Sequence, residues 1–401
     1  MTCAETVSTY LQQDWDAIAS DLSKIDSKLG EIKSNGHEYY MFQYGDKCHS
    51  LNMTPIHRSL RGAVVDKITR EIVSRTYSVP VEIDASGENL SMLKDIDSKY
   101  LIKIQSLYDG TMLRLSHFDD KWHLLTNGKF SAYESIWRNS KSFGKYFDEF
   151  ISNSCDFYDS LDKEFTYIFV FCHPENTIVI NYKQPKLYLV SKINNKSGKE
   201  IEYDYAEVSK NIRIEQVQYH FCGIEQAIDN ALNGKVNDGY IFIQTFELNQ
   251  KNSSELGCVN TRYRLQSKAY SENEQVLNVR SVTPQQRSTY LYNYIVDLIR
   301  SGDRERIAVF LNTYPNHRQL FDRYWSSLQT FPQTIHTIYI QKNVKKTMTW
   351  IDGPHRHKFV AKLHDLYMNT LRHQKMVVTI NTVMYLISQT PTPELVAMLG
   401  E

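Results

Sequence analysis

Ser106-Leu107-Tyr108-Asp109-Gly110-Thr111 lies between two segments of strand character, residues 100–106 and 111–117. Aspartate followed by glycine favours a tight turn between strands, so the stretch reads first as a corner of a sheet. Working outward, alternating and β-branched runs recur at 38–44, 62–66 and 72–77 before it. They recur at 122–126, 166–172, 177–182, 187–193 and 239–245 after it. Helical spacing interrupts these runs at 131–152, 206–211 and 224–232. In the first of these, Tyr133, Trp137, Phe143, Tyr146, Phe147 and Phe150 form a stripe that predicts core packing rather than a base-stacking surface. The expected fold class is α+β, mainly antiparallel sheets with helices packed outside.

The two ends differ from this middle. Leu11, Trp15, Ile18, Leu22, Ile25 and Leu29 recur at helical spacing, which predicts one amphipathic helix within 7–34 that ends near Gly30. Near Val282-Thr283-Pro284 the pattern turns helical, with segments expected at 285–301, 304–314, 317–329, 355–370 and 377–388. Thr283 is placed to cap the first, and Gly302-Asp303 breaks it from the second. The organisation predicted is a helical segment over 1–36, a mixed domain over 37–282 and a helical domain over 283–401.

With 401 residues the chain is long enough for two or three cores. Lys+Arg and Asp+Glu are equal at 46 each, so net charge identifies no partner. The distribution is uneven: from Gln285 onward 14 Lys and Arg face 8 Asp and Glu. A basic carboxy-terminal module suits a phosphate-backbone partner and equally suits a solvated basic face. The six cysteines show no Cys-x-x-Cys or paired spacing, which argues against a zinc ribbon or disulfide framework and fits a reducing compartment. The amino terminus has no basic region followed by an apolar run, and the apolar stretch near 377–387 is too short to span a bilayer. A soluble, intracellular protein is expected. The lysine-, asparagine- and tyrosine-rich composition fits a viral or protist source.

Beyond the turn reading, further segments around Asp109-Gly110-Thr111 carry candidate chemistry in a fixed order. Upstream are Leu60-Arg61-Gly62-Ala63-Val64-Val65-Asp66 and Ser74-Arg75-Thr76-Tyr77-Ser78-Val79-Pro80-Val81-Glu82-Ile83. Downstream are Leu125-Thr126-Asn127-Gly128-Lys129 and Phe169-Val170-Phe171-Cys172-His173-Pro174-Glu175-Asn176-Thr177-Ile178-Val179-Ile180-Asn181-Tyr182. Asn237-Asp238-Gly239-Tyr240-Ile241 and Arg264-Leu265-Gln266-Ser267-Lys268-Ala269-Tyr270 complete the series. Together, over about residues 55–270, they resemble the motif series of bacteriophage-type RNA ligases (the RNA ligase 1 family), members of the covalent nucleotidyltransferase superfamily.

The resemblance implies a nucleotidyltransferase domain (an ATP-grasp-like ligase fold) and an all-helical carboxy-terminal domain that helps choose RNA of tRNA type. It also implies that Leu107 stands where the family has its nucleophilic lysine. A hydrocarbon side chain has no lone pair to attack a phosphate. Val170 replaces a glutamate and Asn127 a lysine. Arg264 and Gln266 replace two phosphate-contacting lysines. Arg61, Asp109, Gly110, Arg264 and Lys268 are the nucleotide-binding candidates, and Asp238 is the candidate magnesium ligand. ATP and Mg²⁺ are implied only if the ancestral site is retained. The reading is a degenerate, inactive ligase-like protein that binds RNA, a nucleotide or a protein partner. One alternative is an active ligase with a displaced nucleophile at Lys103, on the same strand face as Leu107 but about 13 Å away at 3.3 Å per residue. Another is a structural virion-type protein. Lys129 near the cleft, and His355-Arg356-His357 with His364 and His373, read as solvated or phosphate-facing rather than metal-binding.

Overall fold

The computed structural model describes residues 3–45, 48, 53–83, 87–94, 96, 100–136, 141–152, 156–203, 205, 214–246, 260–277 and 287–400. The chain divides into two compact units, Met1–Gln275 and Val276–Glu401. Residues 282 and 283, where the sequence places a boundary, lie outside the described residues, as does the proposed cap Thr283.

The first unit opens with two helices rather than one. Cys3–Leu11 ends before Asp14, whose side chain accepts from the Asp16 amide and caps Trp15–Ser23. The single helix predicted through Gly30 fails at Asp26 (φ 56°), and β1 (Ser27–Ser34) pairs with β2 (His37–Tyr44). Their connection is Asn35-Gly36, both residues at positive φ, the backbone that a two-residue hairpin of type I′ requires. Leu29 therefore belongs to a strand.

β3 (Val64–Asp66) and β4 (Ile72–Ser74) complete a first sheet in the order β1-β2-β3-β4. Then follow β5 (Val81–Ile83), β6 (Tyr100–Ser106), β7 (Thr111–Phe118), β8 (Lys121–Thr126), β9 (Phe165–Cys172), β10 (Lys186–Asn194), β11 (Tyr219–His220), β12 (Tyr240–Phe246) and β13 (Thr261–Leu265). They build a second sheet, β10-β9-β7-β8, and a third, β11-β6-β12-β13-β5. All neighbours run antiparallel except β13 and β5, which are parallel.

The aromatic helix is Phe143–Ile151, shorter than the predicted 131–152. It buries Phe143, Tyr146 and Phe147 against Leu113, Phe169 and Leu189 of the second sheet. Tyr133 belongs instead to a separate short turn, Ala132–Glu134, and is exposed; Trp137 and the helix predicted over 206–211 lie outside the described residues. Ile224–Asn233 packs Ala227, Ile228 and Ala231 onto Ile104, Phe242 and Leu265 of the third sheet. No strand forms over 177–182, for a reason that the site supplies.

The second unit is helical: Arg287–Ser301, Arg304–Thr313, Arg318–Tyr339, Pro354–Leu366, Ile380–Gln389 and Thr392–Gly400. Asp303 caps the second of these by accepting from the Glu305 and Arg306 amides. Arg318–Tyr339 runs ten residues beyond the predicted end at 329 and contains Pro332. Phe331, Ile335 and Tyr339 are buried with Phe359, Val360, Leu363 and Val383, and this packing outweighs the lost backbone donor. The protein is thus α+β, with antiparallel sheets, packed helices and a helical carboxy-terminal region. No helix among the described residues is long and apolar enough to cross a membrane.

Candidate functional site

A cleft of about 210 Å³ opens in the first unit between the second and third sheets, lined by Arg61, Tyr77, Leu107, Val170, Arg262 and Arg264 among others. Arg61 follows the helix Pro55–Leu60, and Gly62 turns the chain into β3 at φ 79°. A Cβ on Gly62 would also lie 3.1 Å from the Asn127 carbonyl oxygen. Glycine therefore serves both a left-handed backbone and a close approach, and it brings Arg61 and Asn127 to one rim. Beneath them Arg114 of β7 is fully buried. It donates to Ser74 Oγ (3.2 Å) and to the carbonyl oxygens of Arg75 (3.3 Å) and Thr126 (3.2 Å), which ties together the segments that lead to Tyr77 and Asn127. Burial lowers its pKa to about 9.

The cations of the cleft differ in how they are neutralised. Arg262 Nη2 lies 2.6 and 2.7 Å from the two carboxylate oxygens of Glu200, and its guanidinium sits 4.3 Å from the Tyr77 ring centre. Burial pushes the Glu200 carboxyl up, but Arg262, Ser191 and Asn260 together hold it below the ordinary range. Arg264 Nη1 pairs with Glu82 at 3.2 Å; burial opposes its charge, and Glu82 restores it. Among the described residues no carboxylate pairs with Arg61.

Asp109, although it belongs to the motif-like stretch, does not line this cleft. Its Oδ2 accepts from the amides of Val179 (2.9 Å) and Ile180 (2.7 Å), and its Oδ1 accepts from Tyr270 Oη (3.0 Å). Burial raises the carboxyl's pKa against the pull of these three donors. Two successive amides that converge on one carboxylate cannot alternate across a strand ladder, so the strand predicted over 177–182 does not form. At Gly110 a Cβ would fall 2.6 Å from the Phe171 carbonyl oxygen, and at Gly239 it would lie 3.0 Å from Leu107 Cδ2. Asp109, Gly110 and Gly239 thus hold the sheets together. The simple turn reading of Asp109-Gly110 understates this role, because the carboxylate joins three segments distant in sequence.

The remaining candidates scatter. Asp238 Oδ2 accepts from the Lys235 amide at 2.6 Å and does not line the cleft. Among the described residues no three His, Cys, Asp or Glu side chains are grouped to hold a metal. Lys268 is exposed, 3.9 Å from Glu272, and Lys129 Nζ donates to the Glu134 carbonyl oxygen. Lys103 lines a different cavity, of about 680 Å³, where it is ion-paired with Glu202. Sequence reading singled out Arg264 but missed Arg262, two residues earlier on the same strand. The period of two would have placed both on one face. It also missed Arg114, whose neighbours Leu113 and Leu115 announce a buried strand but nothing of its polar partners.

No protein-family model matches the chain. The chain is 25% identical over 381 residues to the immediate-early protein ICP-46 homolog of Invertebrate iridescent virus 6, covering 87% of this chain and 78% of that protein. The homolog of Invertebrate iridescent virus 3 is 24% identical over 143 residues, 33% of this chain and 32% of that one. Among solved structures, an archaeal ATP-dependent RNA ligase is similar at 11% identity, with 82% and 83% of the two chains covered and a TM-score of 0.40. A variant of Naegleria gruberi RNA ligase solved with ATP and Mn is similar at 11% identity, with 66% and 84% covered and a TM-score of 0.35.

Proposed function

We propose that this chain is a degenerate ligase-like protein that binds a nucleotide through one phosphate, without forming a lysyl–nucleotide bond, and presents the helical domain 283–401 to RNA. The observation that carries the reading is the make-up of the cleft among the described residues: Leu107 and Val170 line it, no lysine does, and Arg61 stands there without an ion-pair partner. A guanidinium binds phosphate in a bidentate fork. Tyr77 and Tyr108 offer aromatic walls, and Tyr108 is already stacked on Tyr188 at 3.7 Å. The cleft volume is below the ~300–1,000 Å³ of drug-sized ligand sites, which favours a mononucleotide or a terminal phosphate over a triphosphate with metal.

The residues do not fit the nucleotidyl-transfer chemistry of the resembled family. Displacing the nucleophile to Lys103 does not rescue it, because that side chain serves another cavity and is neutralised by Glu202. The RNA part of the reading rests on the basic excess beyond Gln285.

Titration calorimetry with AMP tests the cleft, with saturable binding expected from the wild-type chain and affinity lowered at least tenfold by Arg61→Ala. No binding, or equal binding by the variant, removes the nucleotide reading. Single-stranded and tRNA-like RNA at rising salt tests the second part. Steep loss of affinity with salt supports phosphate contacts, and no binding at low salt removes it.

A further inference from the structure

The helix Ile380–Gln389 lies on the surface of the second unit and carries no charged residue. Val383 faces inward, fully buried, with Leu386 and Ile387 half-buried beside it. On the outer side Ile380, Met384 and Tyr385 are 38%, 53% and 61% exposed, and the approach to the helix adds Met376 at 54% and Val377 at 69%. A surface helix ordinarily turns charged or polar side chains to water, whereas this one turns Ile380, Met384 and Tyr385 outward beside the uncharged Asn381, Ser388 and Gln389. Exposed apolar residues scattered singly are unremarkable, but five within ten residues mark an interaction surface.

The surroundings indicate what covers it. Between Asp365 and Glu394 the sequence has no carboxylate, while Arg372, His373 and Lys375 stand exposed just before the patch. Glu394 is itself paired with Lys362 at 3.1 Å. We infer that this face docks a protein partner through an amphipathic helix, whose apolar stripe lies across Val377, Ile380 and Met384 and whose acidic flank meets Arg372 and Lys375. Methionine suits such a surface because its flexible, polarisable side chain adapts to a partner's shape. Apolar anchors inside a charged rim are the usual anatomy of a helix-docking interface. A second copy docked through this same face would set like cations, Arg372 and Lys375, against each other, with no acid between Asp365 and Glu394 to meet them. An anionic membrane needs several cations, at about 1 kcal/mol each, where this rim supplies few.

The test uses the full-length chain and a fluorescein-labelled synthetic helix of leucine on one face and glutamate on its flanks, followed by anisotropy. Saturable binding is expected, weakened at least tenfold by Met384→Glu and by Ile380→Glu. Lys375→Glu should weaken it several-fold, with the residual binding less sensitive to salt. Because all three side chains are exposed, circular dichroism melts should match wild type. Four results overturn the inference: no saturable binding, binding indifferent to these substitutions, equal binding of a leucine–lysine helix, or stronger association with phosphatidylserine vesicles than with the acidic helix. Light scattering that shows a dimer broken by Met384→Glu would assign the face to a second copy and overturn it as well.

Discussion

Asp109 and Arg61 both belong to stretches that look like chemistry in the sequence, and the fold places them in opposite electrostatic conditions. The Asp109 carboxylate is buried and saturated, with Val179, Ile180 and Tyr270 all donating to it. Arg61 lines the cleft with no carboxylate partner among the described residues. A charge satisfied from within holds the sheets, and a charge left open to the cleft is available to a ligand. The same contrast separates the glycines, which permit close packing, from Leu107 and Val170, which set apolar side chains among the charged and polar ones that line the cleft.

The contrast breaks most easily at Asp109. Asp109→Ala should orphan two backbone donors and a tyrosine hydroxyl, and destabilise the first unit by about 3–5 kcal/mol in urea unfolding. Gly110→Ala should follow at about 1–3 kcal/mol, because backbone rather than a flexible side chain meets the new methyl. Arg61→Ala should invert the pattern: stability within about 0.5 kcal/mol of wild type, but a loss of about 1.5–3 kcal/mol in AMP binding, the range for hydrogen bonds to a charged group. If Arg61→Ala unfolds the protein, or Asp109→Ala leaves it intact, the division of roles is wrong.

A smaller effect should appear with pH. Burial holds His123 in its neutral form and lowers its pKa to about 4. The unfolded chain, with histidine near its ordinary pKa of about 6.5, binds the proton first, so stability should fall as pH drops from about 6.5 towards 4. His123→Phe should flatten that part of the profile, measured by melting temperature across the window. Lys103→Ala should do least: its ion pair is exposed and worth at most about 1 kcal/mol, and AMP affinity should not change.

How much of this was legible in the sequence depended on whether the cause was local. Apolar and β-branched runs along 100–106, 111–117 and 187–193 placed β6, β7 and β10 closely, because each strand is buried over most of its length or carries local strand character. The Asn35-Gly36 hairpin was equally legible, yet helical spacing through Leu29 masked it; a two-residue Asn-Gly turn should outrank a few periodic leucines. The missing strand at 177–182 could not be read locally. It depends on Asp109, some seventy residues away. The same holds for the cleft. Leu107 and Val170 were legible as apolar replacements for charged residues, but pairing of Arg262 with Glu200 and of Arg264 with Glu82 arises only when the sheet brings distant segments together. That pairing removes Arg264 as an open cation, Asp109 is taken up by the sheets and Lys268 is exposed beside Glu272, so Arg61 is the candidate cation without an ion-pair partner among the described residues.

The central claim, a nucleotide held without covalent capture, is tested most directly by intact mass after incubation with ATP and Mg²⁺ or Mn²⁺, and then with GTP. Unmodified mass is expected from folded protein that still binds AMP in calorimetry. A nucleotide-monophosphate adduct on Lys103 or any other lysine would contradict the account and make this chain an active nucleotidyltransferase.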